Sequence, residues 1–208
     1  MKKLFFAGIL PVAFFLLIGL SSRSQLSISG ATCVLSGDEY QYNIAGNIPD
    51  DAQICVKGGT IKGASANCVG NLNSGYVRIT WSGSSGYISL KSSVGNSSLD
   101  INVTTPLQAG SIITIKSEIV NFKASCSAIS CSKASGGGCG AVYLYQWQRS
   151  IDNMNWEDIK GATSQNLGSL ADLRDSYFYR RRVSEGSSGT TVYSDVAAVY
   201  VIPEFKTN

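Results

Sequence analysis

The 208-residue chain carries 17 basic and 14 acidic residues, 22 glycines, six cysteines and no histidine. A hydrophobic share of 44% with sparse charge excludes a disordered polymer, and so slight a basic excess excludes a nucleic-acid binder, which needs cations to exchange for counterions. Without histidine there is no Ser-His-Asp or Cys-His catalysis and no imidazole ligand for zinc.

Residues 1–24 read as a secretory signal. Lys2 and Lys3 precede an apolar run from Leu4 to Leu20, and Ser21, Ser22 and Ser24 provide the small residues before a cut between Ser24 and Gln25. Left uncleaved, the run would be the chain's one contact with a membrane, at the short end of what spans a bilayer and interrupted by Pro11. Cleavage removes Lys2, Lys3 and Arg23, leaving 14 basic against 14 acidic residues. All six cysteines lie after the cut, which for an exported chain points to disulfides rather than thiol chemistry. Several connectivities remain open. Short loops favour Cys55–Cys68 and Cys131–Cys139, leaving Cys33–Cys126 to join the two halves.

Strand-like runs then alternate with Gly, Ser and Asn clusters about every ten residues, the pattern of an all-β sandwich. The first half, residues 25–104, has strands at Tyr40–Ile44, Gln53–Val56, Tyr76–Trp81, Gly86–Lys91 and Leu99–Thr104, with turns at Gly83–Gly86 and Val94–Ser97. Residues 105–111 form a connector too short to separate the halves. The second half, residues 112–203 before a 204–208 tail, opens with Ile112–Ile115. It continues through Val142–Gln148, a turn at Asp152–Asn155, Tyr177–Val183, Val192–Tyr193 and Val196–Val201. Alternation puts Tyr143, Tyr145 and Trp147 on one face. Trp147, with Trp81, Tyr177 and Tyr179, is the expected aromatic core.

The run Tyr145–Ser150, with Asp152, Trp156, Asp158-Ile159, Gly161–Thr163 and Tyr177–Val183, resembles an immunoglobulin-like module of Gram-negative surface proteins. Gly58–Ile61, Val77–Trp81, Gly86–Ile88 and Leu99–Val103 resemble the PKD-like module that often precedes it. The pair resembles the leading region of Bacteroidota-type RHS-repeat and adhesin-like surface proteins. That resemblance implies two tandem β-sandwiches acting as spacers or binding units. Tyr179 stands where an immunoglobulin domain has its second cysteine, so the usual inter-sheet bridge is not expected.

Alternation also places Arg180 and Arg182 on one face of their strand and Arg181, with Tyr177 and Tyr179, on the other. Arg180, Arg182 and Trp156 are the candidate ligand contacts, toward acidic glycans or carboxylates. The competing account is a solvated strand face whose arginines pair with Asp152, Glu157 or Asp158, or stack on Trp156. Asn153, Asn155, Glu157 and Asp158 carry oxygens suited to calcium but lack EF-hand spacing and read better as a polar turn. Neither an enzyme nor a cofactor is expected. The expected role is an exported contact or structural module at the outer surface, secreted or periplasmic, with a protein or glycan partner. The alternative is a carbohydrate-binding protein using exposed Trp156, Tyr143 or the arginines.

Overall fold

The computed structural model describes residues 25–204 other than 73, 115, 187 and 188. The signal assigned to residues 1–24 and the tail beyond Glu204 lie outside the described residues. The described chain is all strand, turn and extended loop.

Residues 27–104 build two facing sheets. One orders β1 (Ser27–Ser29), β3 (Glu39–Ala45), β7 (Tyr76–Trp81) and β5 (Gly59–Ile61). The other orders β2 (Cys33–Leu35), β9 (Gly95–Thr104), β8 (Ser85–Ser92), β4 (Gln53–Lys57) and β6 (Cys68–Gly70). The strands alternate with period two: Tyr42 and Ile44, Ile79 and Trp81, and Ile88 and Leu90 all point into the space between the sheets. Trp81 is fully buried there, and its indole N–H donates to the Tyr42 hydroxyl at 2.9 Å. Tyr42 in turn donates to the Ala31 carbonyl at 2.9 Å, so both polar handles are satisfied.

Two turns fall earlier than the sequence implies. Ser92 pairs with Gly95, so the β8–β9 turn is Ser93–Val94 rather than Val94–Ser97. Gly86 belongs to β8 and not to the preceding turn. A Cβ there would stand 2.1 Å from the Trp81 ring, so the strand needs a glycine where the indole lies across it.

The second sandwich has one regular sheet. Its order is β10 (Ser117–Asn121), β15 (Ala197–Ile202), β13 (Tyr177–Glu185), β11 (Tyr143–Ser150) and β12 (Glu157–Asp158), with β14 (Thr191–Tyr193) also paired to β13. The facing layer consists of extended loops tied by single bridges, Ile112 to Cys131 and Ile129 to Leu167. Of the expected strand at Ile112–Ile115, Ile115 lies outside the described residues, and Ile112–Thr114 makes only the isolated bridge of Ile112 to Cys131. The Ile112 amide donates to Asp195 Oδ1 and the Ile113 amide to the Ser130 carbonyl, so successive amides bond to two different segments rather than to one neighbouring strand. Trp147 is sealed between sheet and loops with Tyr179, Ile129, Leu167 and Val199. Its indole N–H donates to the Ser164 carbonyl at 3.1 Å. Tyr177 lies half-buried beside Tyr179, their ring centroids 6.3 Å apart.

Cysteine pairing differs from the sequence expectation at two of three bridges. Cys55 and Cys68 are bonded, across the directly opposed strands β4 and β6. Cys33 bonds Cys139, not Cys126, and the Cys131–Cys139 bridge is not formed. Cys126 and Cys131 are both buried free thiols. Short loop length held for Cys55–Cys68 and failed at Cys131, which is turned into the core while Cys139 ends the Gly136–Gly138 loop on the surface facing β2. That loop packs on the connector: the Gly137 amide donates to the Thr105 carbonyl at 2.8 Å, and Gly136, at φ 72°, sits where a Cβ would strike the Pro106 carbonyl. The connector's Leu107 and Ala109 are buried against Ala134 and Val183. The two sandwiches are therefore joined by a packed connector and a covalent clasp.

Candidate interaction face

β13 presents two different faces because its side chains alternate. Arg181 points inward with Tyr179, on the face alternation gave it, and is completely buried; what the sequence did not suggest is its set of carbonyl partners. Nη1 donates to the Gln165 carbonyl and Nη2 to the Ser132 carbonyl, both at 2.6 Å, and Nη2 also donates to the Ala109 carbonyl. The guanidinium lies over the Tyr145 ring, 4.3 Å from its centroid. Burial lowers its pKa from the ordinary value, with Cys131 and Tyr145 opposing. No acid pairs with it among the described residues, so one cation ties the connector and both facing loops to the sheet through carbonyl dipoles. It joins the two layers of a sandwich in which no disulfide does so.

The outward face carries the candidate contacts. Arg180 is held between two aromatic rings, 4.1 Å from the Trp156 centroid and 4.0 Å from that of Tyr193. Its Nε donates to Gln148 Oε1 at 2.9 Å, and Gln148 Nε2 donates to Asp158 Oδ1 at 2.7 Å. Arg182, two residues along, donates from Nη2 to Asp158 Oδ2 at 3.0 Å. Trp156, Arg180 and Arg182 thus meet on one surface; Arg180 stacks on Trp156, and of the three acids offered as partners only Asp158 pairs with either arginine, accepting from Arg182. Tyr193 is the member that sequence reading missed. Only the pairing of Arg182 with Tyr193 across β13 and β14 carries it there, and nothing in the local sequence signals that register.

Tyr143 is no part of this surface. Its hydroxyl donates to the Gly136 carbonyl at 2.8 Å, and its ring packs on the connector cluster. The Asp152–Asn155 segment forms a self-contained turn. Asp152 Oδ1 accepts from the Asn155 and Met154 amides and the Ser150 hydroxyl, and Oδ2 accepts from the Asn155 side chain. Asn153 takes the left-handed backbone at φ 59°. Glu157 pairs with Arg149 at 2.6 Å, so its carboxylate and that of Asp158 are both engaged by arginine.

Residues 108–203 match the sequence profile of a family described as a domain of unknown function, DUF8696. No curated protein matches the chain in sequence. Among solved structures it is similar to the N-terminal four Ig domains of Dscam1 isoform 4.44 (TM-score 0.42, 14% identity, 81% of this chain and 42% of that one). It is also similar to an E-to-A variant of titin domains I67–I69 (TM-score 0.44, 11% identity, 84% and 65%) and to the tandem Ig repeats of Dlar (TM-score 0.33, 16% identity, 82% and 93%). The chain is all-β, two sandwiches in tandem. It spans about 42% of the Dscam1 fragment, and no functional residue is carried over to the tandem from any of these structures. Its two disulfides belong to the chemistry of an oxidising compartment.

Proposed function

We propose that the tandem is an exported, non-catalytic contact module, a structural or adhesive unit directed out of the cytoplasm by an export signal at residues 1–24. Its modules are taken as residues 25–104, PKD-like, and 112–203, immunoglobulin-like. The setting suggested by their sequence motifs is that of RHS-repeat or adhesin-like surface proteins. The observation that carries the reading is the Cys33–Cys139 clasp beside a packed connector, which makes a fixed two-domain unit with a solvent-facing sheet at one end. A protein or glycan outside the cell is the partner class for such a unit.

The full chain expressed in a Gram-negative host tests the reading. Intact mass should give an exported species beginning at Gln25, with two disulfides and two thiols released only on denaturation. A cytoplasmic, fully reduced product would refute it. So would turnover of a polysaccharide or peptide substrate that disappears on substitution of a single carboxylate.

A further inference from the structure

We infer that the Trp156–Arg180–Tyr193 stack on the outer face of the second sandwich binds carboxylate groups of an acidic polysaccharide. The inference rests on the contact-module reading above and gives that module a ligand class. Three observations lead to it. First, Arg180 has no carboxylate partner among the described residues, whereas Arg149, Arg174 and Arg182 each have one. Its Cζ lies 4.1 and 4.0 Å from the centroids of two aromatic rings, and Nε is occupied by Gln148. The two Nη groups form the edge left to meet a ligand in the guanidinium plane, the geometry in which arginine grips a carboxylate through two parallel bonds. Burial lowers the Arg180 pKa, Tyr193 opposing and Arg182 adding to the shift, so the cation is partly stripped of water before any anion arrives.

Second, the neighbouring cation is exchangeable. Arg182 and Asp158 form a surface pair, with side chains 35% and 46% exposed, and such pairs hold weakly. A second carboxylate could take Arg182 while Asp158 keeps its bond from Gln148. Two arginines two residues apart on one strand face stand roughly 6.5–7 Å apart at the backbone, which suits a polymer bearing repeated charges better than one isolated anion.

Third, the rest of the strip is polar and hydroxyl-rich. Ser184 and Thr191 bond to each other at 3.2 Å beyond Arg182, and Tyr193 is 47% exposed. Hydroxyls and aromatic edges around a cationic centre match a polyhydroxylated acid chain. An acidic protein segment would be better served by an apolar centre with charges at the rim.

Trp156 supplies the readout. The other two tryptophans, Trp81 and Trp147, are completely buried, so changes in acrylamide quenching report on Trp156. The oxidised protein is titrated with hexagalacturonate, with maltohexaose and hexaglutamate as controls. Hexagalacturonate should protect Trp156 and bind more weakly as salt rises. Maltohexaose should leave the emission unchanged, and hexaglutamate should bind more weakly than the sugar acid. Arg180→Gln should weaken binding by about ten-fold or more, the scale of a charge-assisted bidentate contact. Should removing the cation from between the rings unfold the domain, Arg180→Lys keeps the charge without the fork and should still lose several-fold. The inference is overturned by silence with hexagalacturonate, by equal response to maltohexaose, by tighter binding of hexaglutamate, or by full affinity in a folded Arg180 variant. If an exported, oxidised protein ignores the sugar acid, this inference alone fails. If the protein is cytoplasmic and reduced, the contact-module reading fails whatever it binds.

Discussion

Arg181 is the residue whose environment departs furthest from what its type suggests. A buried arginine without an acid is tolerated because three backbone carbonyls and the Tyr145 ring replace most of its water, its Nε being left buried without a hydrogen-bond partner among the described residues. Truncation to alanine leaves those carbonyls unsatisfied around a cavity, and we expect Arg181→Ala to lose about 3–5 kcal/mol of unfolding free energy in urea. Arg181→Met, which refills the volume without donors, should recover part of that loss. Asp152 offers a prediction on pH. Donation from the Asn155 and Met154 amides, then from the Asn155 and Ser150 side chains, holds its carboxyl well below the ordinary carboxylate range. A depressed folded pKa means the contribution to turn order is present above the unfolded value near 3.8 and is lost as pH falls through the lower folded value. The Met154 and Asn155 amide resonances should therefore keep their native shifts at pH 4 and move only at more acid pH. In Asp152→Ala they should be displaced at every pH.

At the scale of the element, alternation did most of the work in the first sandwich. Tyr76–Trp81 appears as a strand with the bounds read from sequence, because aromatic and β-branched residues at period two have one buried face to choose. What alternation could not reveal was the neighbour of each side chain. In sequence Gly86 stands where turn meets strand, but nothing there marks it as the floor beneath Trp81, a contact made across the sandwich rather than along the chain. Gly86→Ala should cost about 1–3 kcal/mol by overpacking the indole, read as a lowered Tm with perturbed near-ultraviolet tryptophan dichroism. The loop layer of the second sandwich was likewise out of reach. Ile112, Ile129 and Leu167 are core residues held by isolated bridges, so they carry no periodic signal. The same limit applied to the candidate site. Arg180 and Arg182 could be placed together by alternation and Trp156 suggested as a stacking partner, but Tyr193 needed the β13–β14 register.

For the whole molecule the governing feature is the Cys33–Cys139 bond, spanning 106 residues of sequence. Closing so long a loop chiefly restricts the unfolded chain, and replacing both cysteines by serine should lower stability by about 2–4 kcal/mol. The double variant should also unfold in two separate transitions and show a broader distance distribution in small-angle scattering. The free thiols make a complementary test. Burial raises the Cys131 pKa, with Arg181 opposing and Asp195 adding, and Cys126 is equally enclosed. Neither thiol should react with a disulfide reagent in the native protein, and both should titrate once it is unfolded.

By itself the sequence determined the all-β class, the two-part division of the strands and the burial of Trp81 and Trp147. Each follows from residue type and period along one chain. Tertiary structure alone decided which cysteines meet, which carbonyls hold the buried arginine and which ring completes the stack around Arg180. Those outcomes depend on register and on which loop crosses which sheet, and such distances are set between segments that sequence order leaves far apart.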